Sequence, residues 1–493
     1  MFKKIHVLAV LFFISLVSCN SEKTPHRKDT VITGKVNGYN GKNADLYIKY
    51  SQPGTTQYKE PLTIDSLGNF KFTLFSTIPL DASILDKESA TNIYFIYHPK
   101  DSIHLEFTPD TKTLPQLKTV KFSGDNAKTN NLLNTFQITR EEKNLGYSAI
   151  TDNQMEAKIT DFIESMNSLK TRQTALVKEF KKKYSLNKEE ETWINAFAFE
   201  TYYYFLDFYS FGKSNIPNNY YHYYSKLQSI DSTNLSAWRN LSYMVNSYYM
   251  HYISPSIRRE FNPLMEEIKN GNIDTDSLVL DYFNKNTKNP LLKELLIARY
   301  YTTQFDSKTI VGYRKNKNTI ERYVKDSFIS KNLKARYKET LEFLNKNKAD
   351  SENNLTNMKG MPTEDVFSSI IEAHQGKVIY VDVWATWCGP CIKAMPDAKK
   401  LLKKLEDKNI AFVYLCIESK EELWKTMVSN FNLGGGEHYL MSSEQSAYFR
   451  NTFDITAIPQ YFIIGAKGNI LEMGENLHPS QVETEAQLLS ALP

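Results

Sequence analysis

Hydrophobic and polar positions change period along the 493-residue chain. Between Val31 and Phe122 the apolar residues come in short runs: Leu46-Tyr47-Ile48, then Phe70, Phe72 and Leu74, then Ile103, Leu105 and Phe107. Alternation of this kind places every second side chain on one face of a strand. Asn37-Gly38 and Asn40-Gly41 mark turns, and Leu67-Gly68-Asn69 before Phe70 reads as a hairpin. Several short strands between turn signals predict an N-terminal β-sandwich-like domain over 31–123.

From Asn126 to Asn347 the period becomes helical. Ile159 to Tyr184 and Lys293 to Tyr301 mix Leu, Ile and Phe with Lys and Glu, with few glycines between them. No fixed-period repeat stands out. A central all-α domain over 124–347 is therefore expected. Its tyrosines cluster at Tyr202 to Tyr204, Tyr220 to Tyr224 and Tyr248-Tyr249. Two readings stay open for them: helix contacts with each phenol reaching water, and a groove for peptide or glycan. A polar, Asn-rich linker spans 348–357, and the last unit, 358–493, mixes both periods. Val378 to Trp384 is an apolar run rich in β-branched and aromatic residues, the pattern of a strand buried on both faces. Leu401, Leu402 and Leu405 follow at helical spacing, then a strand at Ala411 to Ile417 and a helix at Glu421 to Phe431. Gly434-Gly435-Gly436 reads as a turn, His438 beside it reads as a loop residue or as a side chain approaching the candidate site, and Lys467-Gly468 joins the strands Tyr461 to Ile464 and Ile470 to Met473.

The first residues have another origin. Met1 to Cys19 carries Lys3 and Lys4 and then apolar-rich residues from Ile5 to Val17, a signal-peptide pattern. That core is shorter than the roughly 20 residues a membrane span needs; a short anchor helix is the other reading. Leu16-Val17-Ser18-Cys19 resembles a bacterial lipobox, which implies lipidation of Cys19. Either reading tethers the protein to a membrane outside the cytoplasm, most simply facing the periplasm, with 20–30 as a polar tether. Lys and Arg number 60 against 56 Asp and Glu, a formal charge of +4, and no basic block is interleaved with aromatics. Nucleic acid is not indicated as a partner.

The candidate chemistry lies where the strand Val378 to Trp384 gives way to a helix, at Cys388-Gly389-Pro390-Cys391. Unpaired N–H groups and the positive end of the helix dipole favour a thiolate at Cys388, lowering its pKa from about 8.5 toward roughly 7 or below. A thiolate attacks disulfides, and Cys391, one turn on, is placed to resolve the mixed disulfide. A zinc site would need a second ligand pair, and only Cys416 remains as a further cysteine in this half of the chain, with His438 the histidine nearest to it. A structural disulfide across so short a loop would constrain the unfolded chain little. The expectation is a redox dithiol with no metal and no cofactor. Cys416, within an apolar run, reads as a buried strand thiol.

Trp384-Ala385-Thr386-Trp387-Cys388-Gly389-Pro390-Cys391 resembles the active site of the thioredoxin superfamily, and its setting resembles the membrane-anchored TlpA/ResA-like branch. Asp382, Pro396 and Ile458-Pro459 match further positions of that pattern, and Glu421 to Phe431 resembles the branch's inserted segment. The resemblance implies a thioredoxin-like α/β fold for the last domain and a Cys388–Cys391 redox disulfide. It also implies a buried Asp382 that relays a proton for Cys391, a kinked active-site helix and a cis Ile458-Pro459 bond facing the dithiol. A buried carboxylate has a raised pKa and can exchange protons near neutrality; the other reading of Asp382 is a strand-end carboxylate in water. Trp387, Ile458 and Pro459 would form the substrate platform. ResA-like cytochrome-maturation reductases carry a glutamate where this chain has Ala394, so cytochrome c biogenesis stands as one option beside protein repair and oxidative-stress defence.

The combined expectation is a membrane-tethered, extracytoplasmic thiol-disulfide oxidoreductase that reduces protein disulfides. Its electrons would come from a membrane thiol donor of the DsbD/CcdA type. A thiol peroxidase is the enzymatic alternative; it is disfavoured by Ala385 where a peroxidatic site has threonine or serine, and by the absence of proline between Gly376 and Cys388. The alternative of another class is a ligand- or peptide-binding lipoprotein in which the dithiol is secondary.

Overall fold

The computed structural model describes residues 29–41, 45–51, 58–210, 213, 216–264, 267, 273–345, 354–431 and 435–493. The signal-peptide pattern and Cys19 lie outside the described residues. Among the described residues no helix is long and apolar enough to cross a membrane.

Two four-stranded sheets form the first part of the chain. One runs in the order Asn69–Leu74, Thr30–Val36, Ser102–Phe107, Lys121–Gly124, and the other Tyr58–Pro61, Leu46–Tyr50, Leu80–Asp86, Thr91–Tyr97. Ile103, Leu105 and Phe107 are fully buried, as their alternation requires. The turn at Leu67-Gly68-Asn69 forms around Asp65, whose Oδ1 accepts from the N–H groups of Leu67 and Asn69 at 2.9 and 2.8 Å. Its arms do not make one hairpin: Asn69–Leu74 pairs with Thr30–Val36, and only a single bridge, Ile64 to Phe70, closes across the turn. Thr30–Val36 also pairs in parallel with Ser102–Phe107, some 70 residues on in the chain.

Helices follow from Ala127–Glu142 to Ser327–Asn345. Their apolar faces and the sheets share one continuous cluster of buried side chains, from Ile32 to Leu333. The helix Ala127–Glu142 is stitched to a strand edge by Asn130, whose side chain accepts from Ile96 N–H at 2.8 Å and donates to its carbonyl at 3.0 Å. A buried charge network joins four elements nearby. Arg239 donates to Glu200 at 2.5 Å, and its backbone N–H donates to Asp81 at 2.8 Å. Arg140 lies 3.7 Å from the other Glu200 oxygen. Burial pushes the Asp81 carboxyl up to about 6 against the opposing pull of Arg239. The tyrosine clusters pack into and against the core, with Tyr202, Tyr203, Tyr220, Tyr224 and Tyr248 buried and Tyr204, Tyr221, Tyr223 and Tyr249 half-buried: Tyr223 and Tyr224 both donate to Asp207 Oδ1 at 2.5 Å, and Tyr220 donates to Leu206 O at 2.6 Å.

The C-terminal unit has its own core, from Met358 to Leu488. Its six-stranded sheet runs Ile470–Gly474, Gln460–Ile464, Val378–Trp384, Ile410–Cys416, Glu437–Leu440, Leu355–Asn357. All seven residues of Val378–Trp384 are buried, because sheet partners flank it on both sides and its side chains belong to the second core. Two segments depart from the sequence reading. Leu355–Asn357, expected as linker, pairs in parallel with Glu437–Leu440 as an edge strand too short to show a period. His438, expected in a loop, lies in that strand, 2% exposed, its ring stacked 4.9 Å from Tyr414. The two cores meet where Phe343 packs 5.5 Å from Phe431 and where Ser307 Oγ donates to Trp387 O at 3.1 Å.

Candidate active site

The strand Val378–Trp384 ends at the centre of the sheet, and four residues later the chain enters the helix Gly389–Lys404 with Cys388 as its N-cap. Pro390 stands in the first turn, where its missing N–H costs nothing. Cys388 and Cys391 form a disulfide with Cα atoms 5.3 Å apart. The Cys391 backbone N–H points at Cys388 Sγ from 3.2 Å. Once the disulfide is reduced, that donor and the helix dipole favour negative charge on the Cys388 sulfur. Pro396 lies inside the helix and leaves the Ile392 carbonyl without its helical donor.

The other predicted residues gather around this pair. Cys388 Sγ lies 3.6 Å from Ile458 O, a close approach without a hydrogen bond because the oxidised sulfur carries no proton. The Ile458–Pro459 bond is cis, and both residues are half-buried at the start of Gln460–Ile464. Cys388 is only 3% exposed, whereas the neighbouring Trp387 side is open at 48%. The Trp387 indole N–H donates to Glu418 O at 2.9 Å, and Arg450 holds the Glu418 carboxylate at 2.8 Å. Ser419 Oγ accepts from Thr386 N–H at 2.9 Å and fixes the same loop from below. An exposed aromatic plate thus stands beside the sulfur with its backbone pinned on several sides.

Asp382 lies on the strand that leads to the dithiol, 1% exposed, and burial alone pushes its carboxyl up to about 7. That value lets it hold or release a proton at neutral pH. Cys416 is fully buried, and burial pushes its thiol up to about 12, so it stays protonated and unreactive near neutrality. Among the described residues no group of three or more His, Cys, Asp or Glu is placed to hold a metal ion.

A family model described as thioredoxin-like matches residues 376–470. The C-terminal module is thioredoxin-like. The thiol-disulfide oxidoreductase ResA of Bacillus cereus is 26% identical to it over 98 residues, which are 20% of this chain and 54% of that protein. A thioredoxin of Coprinus comatus is 36% identical over 50 residues, 10% of this chain and 47% of that one. The match thus spans about half the length of such relatives. Among solved structures, a thiol:disulfide interchange protein of Chlorobium tepidum is 23% identical, covering 25% of this chain and 84% of its own, with a TM-score of 0.23. The thioredoxin domain of a Bacteroides vulgatus thiol-disulfide oxidoreductase is 22% identical, covering 23% and 81%, with a TM-score of 0.21.

The sequence did not point to the residues that support the thioredoxin-like module's site. Glu418, Ser419 and Arg450 brace the Trp387 loop from 31 to 63 residues further along the chain. Ser307 reaches it from the helical part. No local motif announces such contacts.

Proposed function

We propose that the protein is a thiol-disulfide oxidoreductase that reduces disulfides in proteins. The observation that carries this reading is the Cys388–Cys391 disulfide at a helix N-terminus, with the Ile458 carbonyl 3.6 Å from Cys388 Sγ and a buried Asp382 on the strand that leads to it. Cys388 is the nucleophile and Cys391 resolves the mixed disulfide. Asp382 exchanges the proton of Cys391. Trp387, Ile458 and Pro459 form the platform on which an extended substrate segment lies.

The wider setting belongs to the same proposal. The signal-peptide pattern ending at Cys19 supports export and a lipid anchor on a membrane, facing the periplasm. A reductase there needs electrons, and a membrane donor of the DsbD/CcdA type would supply them. A β-sandwich followed by an all-α domain would then act as spacer or docking platform for the redox module. Cytochrome maturation is one of several open destinations, with Ala394 standing where the dedicated enzymes carry glutamate.

The test is reduction of insulin by the full chain in dithiothreitol, with Cys388→Ser and Cys391→Ser in parallel. Catalysed precipitation of the insulin B chain that both substitutions abolish is expected. Turnover that survives loss of Cys388 would refute the assignment. Equilibration against glutathione buffers gives the direction: a potential near about -270 mV fits a reductase, and one near about -120 mV an oxidant.

A further inference from the structure

Strand register places a tyrosine on each side of Asp382. Tyr414 is its partner on the parallel neighbour Ile410–Cys416, and Tyr461 its partner on the antiparallel neighbour Gln460–Ile464. Side chains at facing positions share one side of a sheet, with Cβ atoms about 5 Å apart. Tyr380, two residues before Asp382, shares that side as well. All four are 1% exposed or less.

Their hydrogen bonding is unequal. Tyr380 donates to Leu477 O at 2.7 Å and is satisfied. Asp382 Oδ1, Tyr414 Oη and Tyr461 Oη are buried with no hydrogen-bond partner among the described residues. A buried polar atom left unpaired costs about 1–3 kcal/mol, and native interiors pair nearly all of them. Here two phenol donors flank one carboxylate acceptor in the same layer. Ordered water, which makes about three hydrogen bonds when buried, is what such a group of atoms recruits. Burial and the nearby Asp382 charge push both phenols far above their ordinary value, so they remain neutral O–H donors.

We propose that Tyr414 and Tyr461 are positioning residues that hold water against the Asp382 carboxylate, forming a hydrated proton relay beneath the dithiol. The proposal rests on the disulfide-exchange reading and specifies its second step. In the mixed-disulfide intermediate, the Cys391 thiol passes its proton through this water to Asp382. Its sulfur then bonds to Cys388 Sγ while the bond from Cys388 to the substrate breaks. The substrate sulfur leaves as a thiolate and recovers the proton from Asp382. Two electrons have passed from the dithiol to the substrate disulfide.

Other titratable groups face this layer. His438 stacks on Tyr414, His478 meets the Tyr461 ring edge-on at 5.8 Å, and the Glu475 charge acts on Tyr461. The buried residues of the active-site helix below Cys391 are Ile392, Ala394, Met395, Ala398, Leu401 and Leu402, which do not titrate. Lys404 and Glu485 pair at its far end at 2.5 Å.

The experiment measures formation and resolution of the mixed disulfide separately, in single turnovers of the reduced full chain with a fluorescence-quenched disulfide peptide, from pH 5.5 to 9. Tyr414→Phe, Tyr461→Phe and their double variant are compared with wild type. Tyr380→Phe serves as the control for a phenol with a structural partner. Each single variant should slow resolution about threefold to tenfold, below the 10²–10⁴ that a general base itself supplies. The double variant should slow it further and move its pH midpoint upward, because a carboxylate that loses donors holds its proton more tightly. Formation of the mixed disulfide should keep its wild-type rate, and Tyr380→Phe should leave the midpoint in place. Resolution in the double variant at the wild-type rate and midpoint would overturn the relay and leave disulfide exchange intact. A shift in Tyr380→Phe as large as in the double variant would also overturn it, by showing a general effect of packing. A wild-type chain that forms no mixed disulfide would overturn the exchange reading, and the relay with it.

Discussion

Replacing Asp382 by asparagine separates the electrostatic account of the site from any assumption about activity. Burial raises the Asp382 carboxyl from 3.8 to about 7, so the folded state binds its proton more tightly than the unfolded chain does. The sign follows. Below about pH 4 the group is protonated in both states and costs nothing. As pH rises from 3.8 to 7 the unfolded chain ionises first and stability falls; above 7 the full cost is present. At about 1.4 kcal/mol per pH unit, that cost is on the order of 4 kcal/mol at alkaline pH. Asp382→Asn removes the ionisation and keeps the shape, so it should stabilise the module, and its advantage should grow by on the order of 3 kcal/mol between pH 5 and pH 8.5. Hydrogen exchange of the amides of Val378–Trp384 in the oxidised full chain reads this directly, since those amides report opening of the second core. An advantage that stays constant with pH would refute the claim that desolvation controls Asp382.

The remaining predictions address packing and the first core. Glu200→Gln leaves Arg239 and Arg140 buried with too little negative charge and should cost about 3–5 kcal/mol, seen as a lower urea midpoint for the part of the chain holding Trp193 and Trp238; a change below about 1 kcal/mol would show that the network is not energetically coupled. Gly436→Ala should destabilise the second core by about 1–3 kcal/mol, because an added Cβ would lie 2.4 Å from the Tyr414 ring and 3.3 Å from Phe412 O. Thermal unfolding checks this, and an unchanged midpoint would mean the ring moves freely. Ser307→Ala removes one half-exposed contact and should cost no more than about 1 kcal/mol, with insulin reduction unchanged; a large loss of turnover would give the interface a role in catalysis.

What could be read from the sequence followed from locality. The strand Val378–Trp384 has bounds that match its apolar run residue for residue, since period and length are properties of a single segment. Cys388 and Cys391 were nameable because a four-residue motif is local, and Asp382, Trp387, Ile458 and Pro459 because they match positions of a known family pattern; the structure brings the Ile458 carbonyl beside Cys388 and keeps Asp382 buried on the central strand. The paired tyrosines around Asp382 were not, because register between strands 32 and 79 residues apart is set by the whole sheet. His438 was misread for a related reason: a four-residue strand beside glycines has too few positions to show alternation. The single cluster linking the first sheets to the helices, and the charge network of Asp81, Arg140, Glu200 and Arg239, draw on segments far apart in the chain and leave no local trace.

The most direct measurement of the central claim is to trap the intermediate. Full-length Cys391→Ser, reduced and then exposed to a protein disulfide, should accumulate a mixed disulfide that peptide mass spectrometry assigns to Cys388. Cys388→Ser treated in the same way should accumulate none at Cys391, since Cys391 lies inside the helix and lacks the N-cap position that favours a thiolate at Cys388. Adduct on Cys391 in place of Cys388, or adduct on neither, would contradict the account.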